Sequence, residues 1–187
     1  MATIIEIYGY PCTGKSTFAA ELFAAIKKTG LRVEMCHEVA KIWTYNRDWR
    51  MEDQLSIIAA QYLENHKFDH ILKKLDILIV EAPIFLQLSY GEDLPEIARI
   101  AQKKRDLQHI YLAVQLEREF TFDKFGRNEP QNPDFEYRMN TFIGNMYRSG
   151  SVYRGKYKKC MKEIMEYVKM AAYINNINLT TLEKKNV

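Results

Sequence analysis

Residues 9–16 read Gly9-Tyr10-Pro11-Cys12-Thr13-Gly14-Lys15-Ser16, which is a complete G-x-x-x-x-G-K-S pattern. Glycines at both ends let the backbone curl around phosphates, so that successive N–H groups face the negative charge. We expect Lys15 to place its ammonium on the β- and γ-phosphates and Ser16 to place its hydroxyl on Mg²⁺. The positive end of the following helix faces the same anion. The octapeptide therefore predicts a binding site for a nucleoside triphosphate.

The segments on either side of this loop have the composition that the motif requires. Thr3–Tyr8 is a β-branched run suited to a buried strand, and residues 17–26 are helical by composition and spacing. Strand, loop and helix thus follow one another in the necessary order. The predicted nucleotide contacts come from eight residues of this loop: Gly9, Pro11, Cys12, Thr13, Gly14, Lys15, Ser16 and Thr17.

The size and composition of the chain predict one ordinary domain spanning residues 1–187. The 187 residues are 47% hydrophobic, which is enough to bury a proper core. The three cysteines are widely spaced without a C-x-x-C pair, which favours reduced thiols over disulfides or a structural metal. No apolar run approaches the roughly 20 residues that span a bilayer, and no basic leader opens the chain. We therefore expect a cytoplasmic protein that does not contact membranes.

The net charge of +3 conceals an asymmetry between the two halves of the chain. Residues 1–98 carry 10 Lys and Arg against 14 Asp and Glu, whereas residues 99–187 carry 17 against 10. A basic half can cover an anionic ligand such as DNA, or it can be an ordinary solvated surface, and the second is more common.

Strands and helices alternate along the first 115 residues. After the strand and helix around the loop, we predict strands at 32–38, 76–83 and 107–114, separated by helices at 51–72 and 92–105. Gly126, Pro130 and Pro133 make 117–133 a loop or mobile flap, helices follow at 135–147 and 156–173, and the tail 181–187 is expected to fray. The alternation predicts an α/β fold with a central, mostly parallel sheet of four to five strands.

The carboxyl ends of parallel strands converge on one crevice, where an open α/β sheet binds its ligands. Glu81 ends an apolar strand there and is our first candidate for a catalytic base or an acid at the metal. Glu38 ends another strand, where it either holds an acceptor hydroxyl or caps the next helix. Arg127 lies in the flap as a candidate lid arginine for the phosphates, and Arg138 on the next helix is a weaker candidate cation.

The cysteines and two of the histidines are also candidates for reactive or metal-binding groups. Cys12 stands three residues before Lys15 at the start of a helix, so we expect it to react faster than Cys36 or Cys160. His66 and His70 have the i, i+4 spacing of metal ligands, but no third ligand is evident and surface histidines are the favoured interpretation.

Taken together, these motifs resemble the small P-loop kinases and ATPases encoded by tailed bacteriophages, which are related to the nicotinamide riboside kinase domain and to nucleoside and nucleotide kinases. The resemblance covers roughly residues 3–145. It rests on residues 9–17, His37-Glu38-Val39-Ala40-Lys41, Glu52-Asp53-Gln54 with Gln61, Val80-Glu81-Ala82-Pro83 with Tyr90, and Gly126-Arg127-Asn128.

The resemblance implies a three-layer P-loop NTPase fold of the kinase type, with Mg-ATP as phosphoryl donor and a nucleoside- or nucleotide-like acceptor. By this similarity Lys15, Glu81 and Arg127 act in catalysis, Ser16 and Glu81 serve Mg²⁺, and Glu38, Lys41 and Arg138 contact the acceptor. Relatives usually have Asp-Ser-Pro where this chain has Glu81-Ala82-Pro83, so the longer acid alters the reach of the carboxylate. A phage origin places the protein in the host cytoplasm.

Three functions remain compatible with the sequence. The leading one is a kinase for a small nucleoside-like or nucleotide acceptor. A variant places the acceptor in DNA as a hydroxymethylated base, with a footprint of basic residues and rings: Arg148, Arg154, Lys156, Lys158, Lys159, Lys162, Tyr147, Tyr153 and Tyr157. The third is an ATPase or nucleotide switch that drives a partner and phosphorylates nothing.

Overall fold

Five parallel strands form the centre of the protein in a computed structural model, which describes residues 2–46, 54–90, 94–105, 109–117, 134–147 and 151–185. The strands are β1 (Thr3–Tyr8), β2 (Val33–Cys36), β3 (Ile77–Val80), β4 (Ile110–Leu116) and β5 (Val152–Gly155). Their order in the sheet is β2-β3-β1-β4-β5, and every neighbouring pair is parallel. β1 and β3 are buried along their whole length, as strands covered on both faces must be.

Helices cover both faces of this sheet. They are α1 (Lys15–Lys27), α2 (Val39–Asn46), α3 (Gln54–His66), α4 (Ile84–Tyr90), α5 (Pro95–Lys104), α6 (Phe135–Met146) and α7 (Tyr157–Lys185), with a 3-10 helix at Asp69–Lys74. Within the described residues, no helix has both the length and the apolar composition that crossing a membrane requires.

The alternation of side chains along β1 separates two hydrophobic layers. Ile5 and Ile7 face α1 and α7 and pack against Phe18, Leu22 and Ile164. Tyr8 faces the opposite way and packs in a second core made largely by α4 and α6. The protein is therefore a three-layer α/β fold, which confirms the predicted fold class.

Parallel register brings the carboxyl ends of the strands to one edge. Glu6 pairs with Val80, and Cys36 of β2 pairs with the same Val80. On the other side of β1, Tyr8 pairs with Gln115 of β4. The phosphate-binding loop, the residues after β2 and the residue after β3 therefore emerge side by side.

Several predicted helix boundaries were wrong. The helix predicted over 51–72 is two helices: α3 ends at His66, and a separate 3-10 helix begins at Asp69. The Asp69 carboxylate contacts the His66 ring at this break. The helix predicted over 92–105 begins only at Pro95, with Leu94 as its N-cap, because proline is favoured in the first turn of a helix. The last helix does not end at 173 but continues as far as Lys185, because 182–185 are good helix formers. Fraying of the tail 181–187 stays a prediction.

Three elements escaped the sequence prediction: α2, α4 and β5. No helix was predicted between the strand at 32–38 and the helix at 51–72, where α2 lies. α4 is buried on all sides, so its continuous apolar run shows no helical periodicity. β5 has only four residues and lies at the edge of the sheet, where its half-exposed side chains give no strong strand pattern.

A buried polar cluster ties the sheet to α5 and α6. Glu6 of β1 pairs with Arg105 at the end of α5 and accepts a hydrogen bond from the Tyr147 hydroxyl at the end of α6. The Arg105 guanidinium also donates to the Tyr147 hydroxyl at 2.7 Å, and the Tyr8 and Tyr147 hydroxyls lie 3.0 Å apart. Burial, followed by the nearby charge of Glu6, raises the pKa of both tyrosines well above the ordinary value. The buried ion pair of Glu6 and Arg105 is therefore surrounded by two tyrosines that stay protonated.

Candidate functional site

The phosphate-binding loop connects β1 to α1 through backbone conformations that favour glycine. Gly9 has φ +147° and Gly14 has φ +83°, both in the region that L side chains rarely adopt. A Cβ added at Gly9 would lie 2.7 Å from Thr13 Oγ1 and 3.0 Å from the Leu116 carbonyl oxygen. Thr13 and the Leu116 carbonyl therefore leave no room for a side chain at Gly9, the first residue of the loop.

Lys15 is buried within this cradle. Its side chain is 6% exposed, and Nζ donates to the carbonyl oxygens of Gly9 at 3.1 Å and Tyr10 at 2.9 Å. The Tyr10 carbonyl also accepts from Thr13 Oγ1 at 2.9 Å and from the Thr13 backbone N–H at 3.3 Å. The loop thus wraps around its own ammonium, which places a positive charge where a phosphate-binding motif needs one.

The first turn of α1 supplies the remaining features of an anion site. Gly14 is the N-cap and provides no side-chain cap, so the first backbone N–H groups of the helix face outward with the positive end of its dipole. Ser16 is half-buried on this turn and Thr17 is exposed. Cys12, also half-buried, adopts φ +62°. The local geometry thus matches an anion cradle followed by a hydroxyl suited to a divalent cation.

Glu81 lies at the end of β3, the strand beside β1. Its backbone N–H donates to the Cys36 carbonyl at 3.0 Å, which continues the ladder between β2 and β3. The side chain is buried, with 5% exposure, and Oε2 lies 3.6 Å from His37 Nδ1. Within the described residues Oε1 is buried and has no hydrogen-bond partner. A buried carboxylate oxygen without a partner is costly, so this oxygen suits a cation or a hydroxyl donor from outside the chain.

The turn after β2 carries two of the three residues expected to contact an acceptor. Glu38 stands immediately before α2 and Lys41 lies in its first turn, and both are half-buried. Gln61 of α3, fully buried, holds this turn because Nε2 donates to the His37 carbonyl at 3.0 Å and Oε1 accepts from the Val39 N–H at 2.8 Å. Whether Glu38 contacts an acceptor or caps α2 remains a prediction.

An aromatic cluster joins the loop to α4 and α6. The ring centroids of Tyr10 and Phe135 lie 5.1 Å apart, and those of Tyr90 and Phe135 lie 4.4 Å apart. The Tyr10 hydroxyl donates to Glu136 Oε2 at 2.8 Å. The beginning of α6 is thereby fixed against the phosphate-binding loop, and this role of Tyr10 was missed because the motif constrains only its glycines, lysine and serine.

Arg138 is half-buried on α6, one turn after these contacts. It lines a cleft of about 490 Å³ between α4, α5 and α6, together with Leu88, Ala98, Arg99 and Phe142. Its contact with an acceptor stays a prediction. Arg127 and the flap over 118–133 lie outside the described residues.

The predicted DNA footprint loses one of its three rings. Tyr147 is buried with its hydroxyl on Glu6, so it is not available for stacking. Tyr153 packs against the core, and Tyr157 packs edge-on against Phe18 at 5.2 Å while its hydroxyl donates to Glu21 at 2.7 Å. The basic residues that do lie at the surface are Arg154, Lys156, Lys158, Lys159 and Lys162, and Arg148 lies outside the described residues. The prediction of a stacking ring was therefore wrong for Tyr147, because burial and its hydrogen bond to Glu6 hold it inside the fold. Tyr153 and Tyr157 are half-buried, and their contact with DNA stays a prediction.

The described residues contain no group of three His, Cys, Asp or Glu side chains arranged to hold a metal ion. The oxygen atoms that fit Mg²⁺ are the Ser16 hydroxyl and the unpartnered Oε1 of Glu81, since Mg²⁺ prefers oxygen ligands and shares them with substrate phosphates. The donor set therefore fits a magnesium ion carried in with a nucleotide.

Sequence and structure comparisons give different answers. No protein-family model matches the chain, and no curated protein matches its sequence. Among solved structures, NadR protein in complex with NAD and AMP-PNP is similar with a TM-score of 0.60 and 13% identity over 90% of this chain. Thymidylate kinase from Ehrlichia chaffeensis has a TM-score of 0.59 and 14% identity, with 89% of this chain and 98% of that chain covered. Thymidylate kinase from Candida albicans has a TM-score of 0.51 and 11% identity, with 90% and 92% covered.

The chain spans about half the length of NadR, 50% of which is covered. At these identities the similarity concerns the fold, which the chain shares with NadR and the two thymidylate kinases.

Proposed function

We propose that this chain is a Mg-ATP-dependent phosphotransferase that moves the γ-phosphate to a hydroxyl or phosphate of a nucleoside- or nucleotide-like acceptor. The observation that carries the proposal is the pairing of a phosphate-binding loop with a buried, half-partnered carboxylate on the adjacent strand end. Phosphoryl transfer needs a cradle, positive charge and a group that positions the nucleophile, and each has a candidate here.

The chain's own residues divide this work. The loop from Gly9 to Thr17 binds the phosphates through backbone N–H groups, and Lys15 exchanges its two carbonyl partners for phosphate oxygens. Mg²⁺ supplies charge neutralisation on the phosphates when bound, and Ser16 and Glu81 would hold it. Glu81 also accepts a hydrogen bond from the attacking hydroxyl. The proposal also includes a lid cation, Arg127. The residues that contact the acceptor in this proposal are Glu38, Lys41 and Arg138.

The folds of the neighbours support this assignment. The two thymidylate kinases are named for a nucleotide substrate, and NadR was solved with NAD, with AMP-PNP and with NR. We extend this to a nucleoside- or nucleotide-like acceptor for the present chain. We further propose that residues 1–187 act as a single P-loop domain in a host cytoplasm, in line with the resemblance to phage kinases.

Transfer of labelled γ-phosphate tests the proposal. Mg-ATP is offered with nucleosides, nucleoside monophosphates, nicotinamide riboside, plain DNA and hydroxymethyluracil DNA, and with no acceptor. We expect label in one small-acceptor class and little phosphate release without acceptor, because a kinase excludes water until its acceptor binds. Label found only in hydroxymethyluracil DNA would identify the acceptor as a modified base in DNA. Phosphate release that no acceptor changes would instead identify an ATPase and contradict the proposal.

Glu81→Gln separates catalysis from binding in the same assay. The substitution keeps the shape of the side chain but removes its charge, so ATP affinity should persist while transfer slows by about 10²-fold. Glu34→Gln is the matched control, because Glu34 lies on β2 and pairs with Lys27 at the surface. Unaltered transfer by Glu81→Gln would make Glu81 a structural residue.

A further inference from the structure

We propose that His37 is a positioning residue for Glu81, holding one carboxylate oxygen so that the other faces the reacting groups. This inference rests on the proposed phosphotransferase function and adds to it a residue that neither the motif nor the resemblance assigns.

The sheet itself brings the two side chains together. Cys36 and Val80 are register partners at the ends of β2 and β3, so the next residues of each strand, His37 and Glu81, lie side by side. The backbone bond from the Glu81 N–H to the Cys36 carbonyl fixes this pairing one residue further. Nδ1 of His37 then lies 3.6 Å from Glu81 Oε2, a contact that is an ion pair when the imidazole carries its second proton. The contact follows from parallel register and does not depend on a mobile loop.

The backbone of His37 is clamped on both sides by α3. Its N–H donates to Glu64 Oε1 at 3.1 Å, and its carbonyl accepts from Gln61 Nε2 at 3.0 Å. Gln61 is fully buried, so the clamp is anchored in the core. The main-chain clamp therefore fixes the position from which the His37 side chain reaches Glu81.

The two carboxylate oxygens of Glu81 are in different situations. Oε2 faces His37, whereas Oε1 is buried and has no partner among the described residues. A glutamate has one more side-chain torsion than an aspartate, so a free carboxylate has more orientations to lose before it can act. Fixing Oε2 removes that freedom, and it directs Oε1 to the metal or to the attacking hydroxyl.

The imidazole is 52% exposed, whereas the carboxylate is 5% exposed. The His37 imidazole therefore lies at the surface against a buried carboxylate. Its removal opens the carboxylate to water without opening a cavity in the core, so a His37 variant should fold normally.

Steady-state kinetics with the acceptor that the labelled-phosphate assay identifies tests the inference. His37→Ala should lower kcat on the order of 10-fold with the KM for ATP nearly unchanged, because the carboxylate loses its orientation while the phosphate cradle is untouched. His37→Asn keeps a nitrogen donor near the position of Nδ1 and should recover most of the rate. His70→Ala is the matched control, since His70 is an exposed histidine on the 3-10 helix, and it should behave as the unsubstituted protein.

The double variant His37→Ala/Glu81→Gln decides whether His37 acts through Glu81. It should be no slower than Glu81→Gln alone, because a positioning residue has nothing left to position. A full rate for His37→Ala, or a loss that multiplies with that of Glu81→Gln, would overturn the proposal.

A measurement that does not need turnover separates this inference from the proposed function. The chain has four histidines, so their ring nitrogens are resolvable in a two-bond ¹H–¹⁵N correlation spectrum at one fixed pH. Glu81→Gln should move the His37 Nδ1 signal and leave the other three histidines in place. An unmoved His37 signal would overturn the contact even if transfer is observed. A moved signal in a protein that transfers no phosphate would uphold the pairing and reject the proposed function.

Discussion

Gly9→Ala should destabilise the protein and abolish nucleotide binding together. Gly9 has φ +147°, a conformation that costs an L residue on the order of 1–3 kcal/mol. The new Cβ would lie 2.7 Å from Thr13 Oγ1, which has to move and give up its 2.9 Å hydrogen bond to the Tyr10 carbonyl, for about 1 kcal/mol more. The Leu116 carbonyl at 3.0 Å leaves little room on the other side. The expected loss in the free energy of unfolding is therefore about 3 kcal/mol.

Two other glycines give matched controls for this measurement. Gly30 has φ +82° with nothing within 4 Å of an added Cβ, so Gly30→Ala isolates the backbone cost of about 1 kcal/mol. Gly144 lies in the exposed interior of α6, also with nothing within 4 Å, and Gly144→Ala should stabilise by about 0.5–1 kcal/mol. Comparing the free energies of unfolding of the three variants separates three effects. Gly9→Ala reports steric crowding as well as backbone conformation, Gly30→Ala backbone conformation alone, and Gly144→Ala helix propensity.

Urea denaturation followed by circular dichroism measures all three free energies, and titration with a fluorescent ATP analogue measures binding. Only Gly9→Ala should lose affinity, because only Gly9 belongs to the cradle. If Gly9→Ala were as stable as the unsubstituted protein and bound ATP equally well, the geometry assigned to the loop would be refuted.

Three further predictions concern the cysteines and the buried pair of Glu6 and Arg105. Cys12 should be alkylated faster than Cys36 and Cys160, which are both fully buried, and Mg-ATP should protect it; equal labelling of the three thiols in the folded protein would contradict this. Burial raises the pKa of Cys36 to about 12 from an ordinary 9.0, so the unfolded chain releases the Cys36 proton first and stability should fall as pH rises from about 9 to 12. Cys36→Ala should flatten that slope in urea titrations, and an unchanged slope would assign it to other groups. Arg105→Met should cost about 3–5 kcal/mol because it strands the buried Glu6 carboxylate, whereas adding Glu6→Leu should recover part of the loss; thermal unfolding showing equal stability for both variants would refute the stranded-charge explanation.

Local sequence chemistry was enough to predict the beginning of the fold. β1 occupies Thr3–Tyr8 as predicted, and α1 follows the loop directly. The reason is that a buried strand, a glycine turn and a helix each leave a short-range pattern, and the motif requires all three in succession. β5 and α4 leave no such pattern, because a four-residue edge strand is too short and an entirely buried helix has no polar face.

The site was predictable to the extent that parallel strands align their ends. This principle placed Glu81 beside the phosphate-binding loop, although its role is still a prediction. The partnership with His37 depends on the register between β2 and β3, which 40 residues of intervening chain do not reveal. Tyr147 was misassigned to a surface for the same reason, since its partner Glu6 is 141 residues away.

The rate of γ-phosphate transfer at saturating Mg-ATP, compared between the unsubstituted protein and Lys15→Ala, tests the central claim most directly. The account predicts a loss on the order of 10²-fold or more, because Lys15 supplies positive charge to the transferred phosphoryl group from inside the cradle. Lys28→Ala, an exposed lysine one residue beyond α1, should leave the rate unchanged. Full activity of the Lys15→Ala protein would mean that phosphate transfer does not take place in this cradle.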